Sequence, residues 1–169
     1  WATPWRYWRP FRRAGVEVRA FNRPSIRDPY GVFQRDHRKL VVVDGEVAFA
    51  GGFCIGQEWA GTSDTPPWRD TGIEILGPAV SAASRAFGRI WDVMGEPLPG
   101  SFSEEQAGAV GDTSVWLIEG EPRRSRVLRT LALVAAMAQE RLWITDPYFV
   151  APGAVAEAIA EAAQSGVDV

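Results

Sequence analysis

The sequence is poor in the residues from which covalent cross-links and metal sites are commonly built. It has a single cysteine, Cys54, and a single histidine, His37, among 169 residues. One cysteine excludes a disulfide within the chain, and one histidine excludes a metal site built on several histidines. No apolar run approaches the about 20 residues that a membrane-spanning helix needs. The sequence therefore excludes an internal disulfide and a histidine-built metal site, and it predicts no membrane-spanning helix.

The remaining composition is that of an ordinary globular protein, with 46% hydrophobic and 23% charged residues. The net charge of -3 conceals an uneven distribution. Residues 1–44 hold ten Lys and Arg against four Asp and Glu, whereas residues 45–169 hold eight against seventeen. A basic segment beside an acidic remainder indicates either that the basic part faces an anionic ligand or surface, or that it is a solvated face.

Hydrophobic periodicity predicts strands that alternate with helices, and hence an α/β fold. The predicted strands cover 16–21, 37–43, 46–50, 71–76, 114–118 and 142–145, with another beginning at 167. The predicted helices are a short one that ends at Gly15 and longer ones over 80–94, 123–138 and 152–164. Residues 22–35 and 56–69 are predicted loops, marked by Pro, Gly, Ser and Thr. A polar linker over 98–112 predicts a boundary between one part at 1–97 and another at 113–169.

Two β-rich runs flank Asp44 and Gly45, which is a strong signal for a β-hairpin. In the first run His37 and Lys39 are two residues apart, so on a strand their side chains project to the same side. An ammonium can bind a phosphate oxygen, and a neutral imidazole can attack phosphorus. The pair is therefore a candidate for phosphoryl chemistry, while the same spacing also fits two surface residues on a strand edge.

Asp44 extends the pair to an H-x-K-x4-D pattern, which Gly51 and Gly52 follow. At a hairpin turn, the Asp44 carboxylate is expected to cap backbone N–H groups or to hold the turn against a polar neighbour. The two glycines predict a close backbone turn at the end of the second strand.

The run RDHRKLVVVDGEVAFAGG resembles the HKD signature of the phospholipase D superfamily, and within it the cardiolipin synthase branch. AGVEVRAFNRP, WRDTGIEILGPAV, and LWITDPYFVAP with AIAEAAQSGVDV resemble neighbouring segments of that branch, in the same order. The resemblance implies a phospholipase D-like α/β fold, with a mixed β-sheet flanked by helices. It also implies that residues 1–97 are the remainder of a first pseudo-symmetric repeat and that residues 113–169 begin a second.

The resemblance assigns roles to the motif residues. His37 is implied to be the catalytic nucleophile or its acid partner, Lys39 the phosphate clamp and Asp44 the third catalytic motif residue. No metal and no cofactor is implied.

The resemblance also implies a set of substrate-binding residues. Gly51 and Gly52 are implied to shape the loop on the phosphate side. Cys54 stands where the family usually has Asn, and a thiol is a weaker hydrogen-bond donor than an amide. Tyr148 is implied to line the substrate cleft.

For the function, the resemblance implies phosphatidyl transfer through a phosphohistidine, giving cardiolipin from two molecules of phosphatidylglycerol. The implied partner is anionic phospholipid at a membrane surface, expected to be that of the bacterial cytoplasmic membrane. Relatives of this kind use two facing HKD motifs, whereas this sequence holds one. The second is expected in cis beyond Val169 or from a homodimer partner, and the 169 residues alone are expected to be inactive.

Two alternatives stay open. One is a phosphodiesterase or nuclease of the same superfamily, although the acidic overall balance argues against a nucleic-acid partner. The other is a non-catalytic binding module, a reading that Cys54 favours. The opening residues WRYWRPFRRAG, which interleave aromatic side chains with arginines, fit a lipid headgroup interface or a nucleic-acid backbone. They fit equally well a helix whose aromatic side packs on the sheet.

Overall fold

The computed structural model describes residues 4–21, 36–98, 108–120, 126–146 and 148–169. The chain divides into two compact units, Trp1–Val115 and Trp116–Val169. The loop predicted over 22–35 and most of the linker predicted over 98–112 lie outside the described residues. No helix among the described residues is both long enough and apolar enough to cross a membrane.

In the first unit, a 3-10 helix over Trp5–Trp8 leads into helix α1 (Arg9–Arg13), which is followed by strands β1 (Leu40–Val43) and β2 (Val47–Gly51). Helix α2 (Gln57–Ala60), strand β3 (Gly72–Leu76) and helix α3 (Ala79–Val93) come next. The second unit contains helices α4 (Arg126–Met137) and α5 (Gly153–Gln164). These bounds confirm the predicted short helix before Gly15, the hairpin, the strand near 71–76 and the three longer helices. The first strand of the hairpin begins at Leu40 and not at 37, so His37 and Lys39 precede it and the same-side argument for a strand does not apply to them. The loop predicted over 56–69 contains the short helix α2.

The predicted hairpin turns at Asp44 and Gly45. Both residues have positive φ, 53° and 72° respectively, the combination that a type I′ turn requires. The Glu46 N–H donates a hydrogen bond of 3.0 Å to the Val43 carbonyl, and Val43 pairs with Val47 across the hairpin. A positive φ strains most side chains, but Asp and Gly tolerate it, so the turn follows directly from the local sequence.

Strand β2 lies at the centre of a three-stranded sheet, between β1 and β3. Both pairings are antiparallel, so this three-stranded sheet is not the mixed sheet that the resemblance implied. The reason is the connections, since β1 and β2 are joined by a tight turn, and β2 and β3 by a loop over 52–71. Parallel pairing needs a crossover connection, which is usually a long helix, and α2 has only four residues.

Helix α3 builds the core of the first unit by packing on all three strands. The apolar side predicted for this helix is confirmed at Val80, Ala83 and Trp91, which are buried. The sheet contributes Ala48 and Ile75, which are buried as well. Full burial of a valine side chain stabilises a fold by about 1.5–3 kcal/mol, so the fully buried Val80 contributes to the attachment of α3 on this scale.

The strand predicted over 16–21 is wrong, because the described residues 16–20 pair with no strand in the described part of the chain. Arg19 instead ties this segment to the end of α3. Its guanidinium donates a 2.9 Å hydrogen bond to the Trp91 carbonyl and lies 4.2 Å from the centroid of the Trp91 ring. A period-two pattern means that alternate side chains face different surroundings, and packing against a helix produces that pattern as readily as a sheet does.

In the second unit, α4 and α5 pack against each other. The strands predicted over 114–118 and 142–145 are wrong, since neither range is a strand in the described residues. Near the second range, Arg141 and Asp168 form an isolated parallel bridge, in which the Leu142 N–H donates 2.8 Å to the Asp168 carbonyl. Short apolar runs become strands only where neighbouring strands satisfy their backbone groups, and these runs have at most one bridge.

The close contact between β2 and β3 predicts that Gly51 does not tolerate a side chain. A Cβ on Gly51 would lie 2.7 Å from the Thr71 carbonyl oxygen and 2.8 Å from the Gly72 Cα. We expect Gly51→Ala to lower the free energy of unfolding by about 1–3 kcal/mol, as overpacking usually does. Gly108→Ala is the matched control, because no heavy atom lies within 4 Å of its Cβ position. Equal stability of the two variants in urea unfolding would contradict the prediction.

Candidate active site

Three segments meet at one end of the sheet. His37 and Lys39 come directly before β1, and the Gly51 N–H at the end of β2 donates a 3.3 Å hydrogen bond to the Lys39 carbonyl. Gly51 also pairs with Gly72 at the start of β3, two residues after Asp70. The register of the sheet therefore brings the end of β2 and the beginnings of β1 and β3 together.

The His37 and Lys39 pair lies on the surface at this end of the sheet. His37 is exposed and Lys39 is half-buried. The Lys39 ammonium folds back and donates a 2.8 Å hydrogen bond to the His37 backbone carbonyl. The ammonium is thus held next to the residue that carries the imidazole, by a bond that an incoming phosphate oxygen can replace.

Asp44 lies at the opposite end of β1, in the hairpin turn. Five residues separate it from Lys39, which at the rise of an extended strand is about 16 Å. The structure therefore does not bring Asp44 together with His37 and Lys39. Its place is conformational, as one of the two positive-φ residues that close the hairpin.

Asp70 lies near Lys39 and Gly52. It was not among the site residues that the sequence predicted. A Cβ on Gly52 would lie 2.7 Å from Asp70 Oδ1, so only glycine lets the carboxylate come this close. A sequence feature that could have drawn attention to Asp70 is its place directly before a predicted strand, within the WRDTGIEILGPAV stretch. Its partner could not be read from the sequence, because the β2 to β3 pairing spans the whole 52–71 loop.

Three groups lower the pKa of Asp70. The largest cause is the Trp59 indole N–H, which donates a hydrogen bond of 2.8 Å to Oδ2. The next is the Thr71 backbone N–H, which donates a hydrogen bond of 2.7 Å to Oδ1. Desolvation, the next largest cause, raises the pKa, and the positive charge of Lys39, the smallest of the four, lowers it. The charged carboxylate form of Asp70 is therefore favoured at this exposed end of the sheet.

The remaining predicted residues lie in different surroundings. Cys54 is half-buried, and its Sγ lies 3.9 Å from the Gly52 carbonyl oxygen, so the thiol is at the edge of the glycine turn. Tyr148 belongs to the second unit and is 85% exposed, with its backbone N–H donating 2.7 Å to Asp146 Oδ1. In the part of the chain that the structure describes, no three His, Cys, Asp or Glu side chains group closely enough to hold a metal ion.

The chain is similar to cardiolipin synthases over almost its whole length. It is 37% identical to cardiolipin synthase A of Pseudomonas aeruginosa (strain LESB58), over 99% of this chain and 35% of that relative. Identity is 37% to cardiolipin synthase A of Pseudomonas fluorescens (strain SBW25) and 34% to that of Pseudomonas syringae pv. syringae (strain B728a), in each case over 99% of this chain and 36% of the relative. The chain thus spans about a third of the length of the curated relatives it matches. No protein-family model matches it, and no solved structure does.

The lowered pKa of Asp70 predicts a pH-dependent contribution to stability. The carboxylate is stabilised in the folded state, so its contribution is present above the ordinary pKa of 3.8 and is lost as the pH falls through the lowered value. We expect Asp70→Asn to be less stable than the wild type at neutral pH, with the difference shrinking in strong acid. Urea unfolding across this pH range measures it, and Asp92→Asn on an exposed position of α3 is the control. A difference that stays constant with pH would show that the charge of Asp70 contributes nothing.

Proposed function

We propose that the chain is part of a phosphatidyltransferase of the phospholipase D superfamily that makes cardiolipin. The observation that carries the proposal is the His37 and Lys39 pair at the glycine end of the sheet, in a chain similar to cardiolipin synthases. The fold that accompanies the proposal is phospholipase D-like, with 1–97 in one repeat and 113–169 opening the next. Phosphatidylglycerol is the donor and a second phosphatidylglycerol the acceptor.

In the proposed reaction, one of two facing histidines attacks the phosphorus of the donor lipid. The bond from phosphorus to the glycerol headgroup oxygen breaks, and the other histidine gives that oxygen a proton, releasing glycerol. The hydroxyl of the second phosphatidylglycerol then loses its proton to the same histidine and attacks the phosphorus, which frees the first imidazole and yields cardiolipin. His37 is one of the two histidines, and the Lys39 ammonium neutralises the charge that builds on the phosphate oxygens.

The second half-site comes from the same polypeptide beyond Val169 or from a second subunit. His37 is the only histidine of this chain, so the 169 residues cannot supply both imidazoles within one copy. A monomer of these residues is accordingly expected to be inactive. Measurable phosphodiester turnover by such a monomer would overturn this part of the proposal.

Substitution of His37 tests the catalytic assignment. In the intact enzyme we expect His37→Ala to lower transfer from labelled phosphatidylglycerol by about a thousandfold or more, because removal of a covalent nucleophile or its acid partner has effects of that size. Glu46→Gln is the control, since Glu46 is exposed in the hairpin turn and bonds to Val43 there through its backbone N–H. Mapping the trapped phosphohistidine shows which of the two histidines attacks. Unchanged activity in His37→Ala would favour a non-catalytic binding module.

A membrane-surface role is supported by the segment Pro4–Arg13, which we call the basic aromatic segment. The rings of Tyr7, Trp8 and Phe11 cluster with centroids 5.1 to 5.9 Å apart, and Tyr7 and Phe11 are 50% and 42% exposed. Among the described elements, α1 contacts only the 3-10 helix before it. The segment also holds four arginines and no acidic residue. Amphipathic aromatic rings beside arginines suit the headgroup region of an anionic membrane.

Vesicle binding tests this surface. We expect Arg9→Gln and Arg13→Gln each to weaken binding to phosphatidylglycerol vesicles by about fivefold, since a basic residue near an anionic surface contributes about 1 kcal/mol. Arg85→Gln, the same charge change on an exposed position of α3, is the control. Equal binding by all three variants would contradict the assignment.

Phosphodiester hydrolysis by the same superfamily chemistry is the second candidate, and the basic aromatic segment favours it as well. Labelled phosphatidylglycerol and labelled single-stranded DNA, offered to the intact enzyme in parallel, separate the two. Release of nucleotides with no lipid product would replace the lipid substrate by a nucleic acid.

A further inference from the structure

The loop over 52–71 is closed on itself. At its base the Gly52 N–H donates a hydrogen bond of 3.4 Å to the Thr71 carbonyl. In its middle the Trp68 N–H donates a hydrogen bond of 2.8 Å to the Glu58 carbonyl. Near its tip the Thr62 N–H donates 2.8 Å to the Thr65 carbonyl. These bonds join opposite sides of the loop at three levels, so its backbone follows a defined path.

The Trp59 indole is fixed inside this loop. Its ring packs edge-on against Trp68, with centroids 5.2 Å apart and an interplanar angle of 63°. Gly56 lies against it as well, since a Cβ there would be 3.3 Å from Trp59 Cε3. The orientation of the ring directs its N–H to Asp70 Oδ2 at 2.8 Å.

Both oxygens of the Asp70 carboxylate are therefore engaged. Oδ2 accepts from Trp59, Oδ1 accepts from the Thr71 N–H, and the carboxylate lies against Gly52. Lys39 is close enough to act on Asp70 electrostatically, yet the described residues contain no ion pair between the two within 4 Å. The ammonium of Lys39 instead donates to the His37 carbonyl.

We propose that Trp59 is a positioning residue of the site, whose indole N–H holds the Asp70 carboxylate away from a direct salt bridge with Lys39. A carboxylate released from this bond can turn toward the ammonium and compete with phosphate for it. Held in place, it leaves the ammonium available to an incoming phosphate oxygen. The catalytic meaning of this arrangement rests on the proposed function, whereas the arrangement itself can be tested without lipid transfer.

The test uses inorganic phosphate and the 169-residue chain. His37 is the only histidine, so the NMR signals of the imidazole ring protons belong to it alone and report phosphate binding beside Lys39. We expect Trp59→Phe, which keeps a ring against Trp68 and removes the N–H, to weaken phosphate binding by about threefold, the effect of one exposed charge pair. Trp68→Phe is the matched control, because it changes the other ring of the pair and leaves the bond to Asp70. Thermal unfolding of both variants checks that they are folded.

A double-mutant cycle with Asp70→Asn separates positioning from a merely structural role. If Trp59 acts through the charge of Asp70, Trp59→Phe has no further effect on phosphate binding in the Asp70→Asn background. A loss that persists in that background, a loss of equal size in Trp68→Phe, or no response of His37 to phosphate in the wild type would each overturn the proposal. The expected pattern of phosphate binding in this chain, together with an intact enzyme that transfers no phosphatidyl group, would instead overturn the proposed function alone.

Discussion

The pairing of Gly51 with Gly72 sets the geometry of the site. Gly51 also binds the Lys39 carbonyl through its N–H, so one residue joins the beginnings of β1 and β3 to the end of β2. A side chain at this point would collide with the neighbouring strand, and one at Gly52 would collide with the Asp70 carboxylate. The absence of two Cβ atoms therefore allows β3 to approach the end of β2 and the Asp70 carboxylate to lie against Gly52, at the end of the sheet where Lys39 precedes β1.

The electrostatics of the site are those of an open surface. Charges in contact with water interact weakly and are screened by salt, so Lys39 and Asp70 influence each other without closing an ion pair. Electrostatic stabilisation of a transition state becomes strong when water is excluded from the site. A second protein surface that covered the site would exclude water and strengthen these electrostatic interactions. This agrees with the proposed need for a second histidine and its surroundings. The 52–71 loop contributes in another way, because the Trp59 indole within it fixes the orientation of the Asp70 carboxylate.

Much of the first unit could be predicted because its signals are local. Asp44 and Gly45 favour positive φ in any context, and the spacing of Val80, Ala83 and Trp91 marks the buried side of α3 before the sheet is known. The failed strand at 16–21 shows the limit of this reasoning. Its alternation is real, but Arg19 packs on Trp91 and no strand pairs with the described residues there. The apolar run at 142–145 likewise lacks the neighbouring strands that would make it part of a sheet.

The candidate site divides along the same line. The sequence specified His37 and Lys39 as neighbours, the glycines after them and the hairpin turn at Asp44, because each of these follows from spacing within a few residues. It did not reveal that Asp44 lies a strand's length from the pair, or that Asp70 lies near Lys39 and is held there by Trp59. Those positions follow from the β2 to β3 register and from the closed loop between them. Contacts between residues that are far apart in the chain arise only when the backbone folds. The local sequence pattern therefore identified the candidate residues His37 and Lys39, whereas the tertiary structure determined which other side chains lie near them.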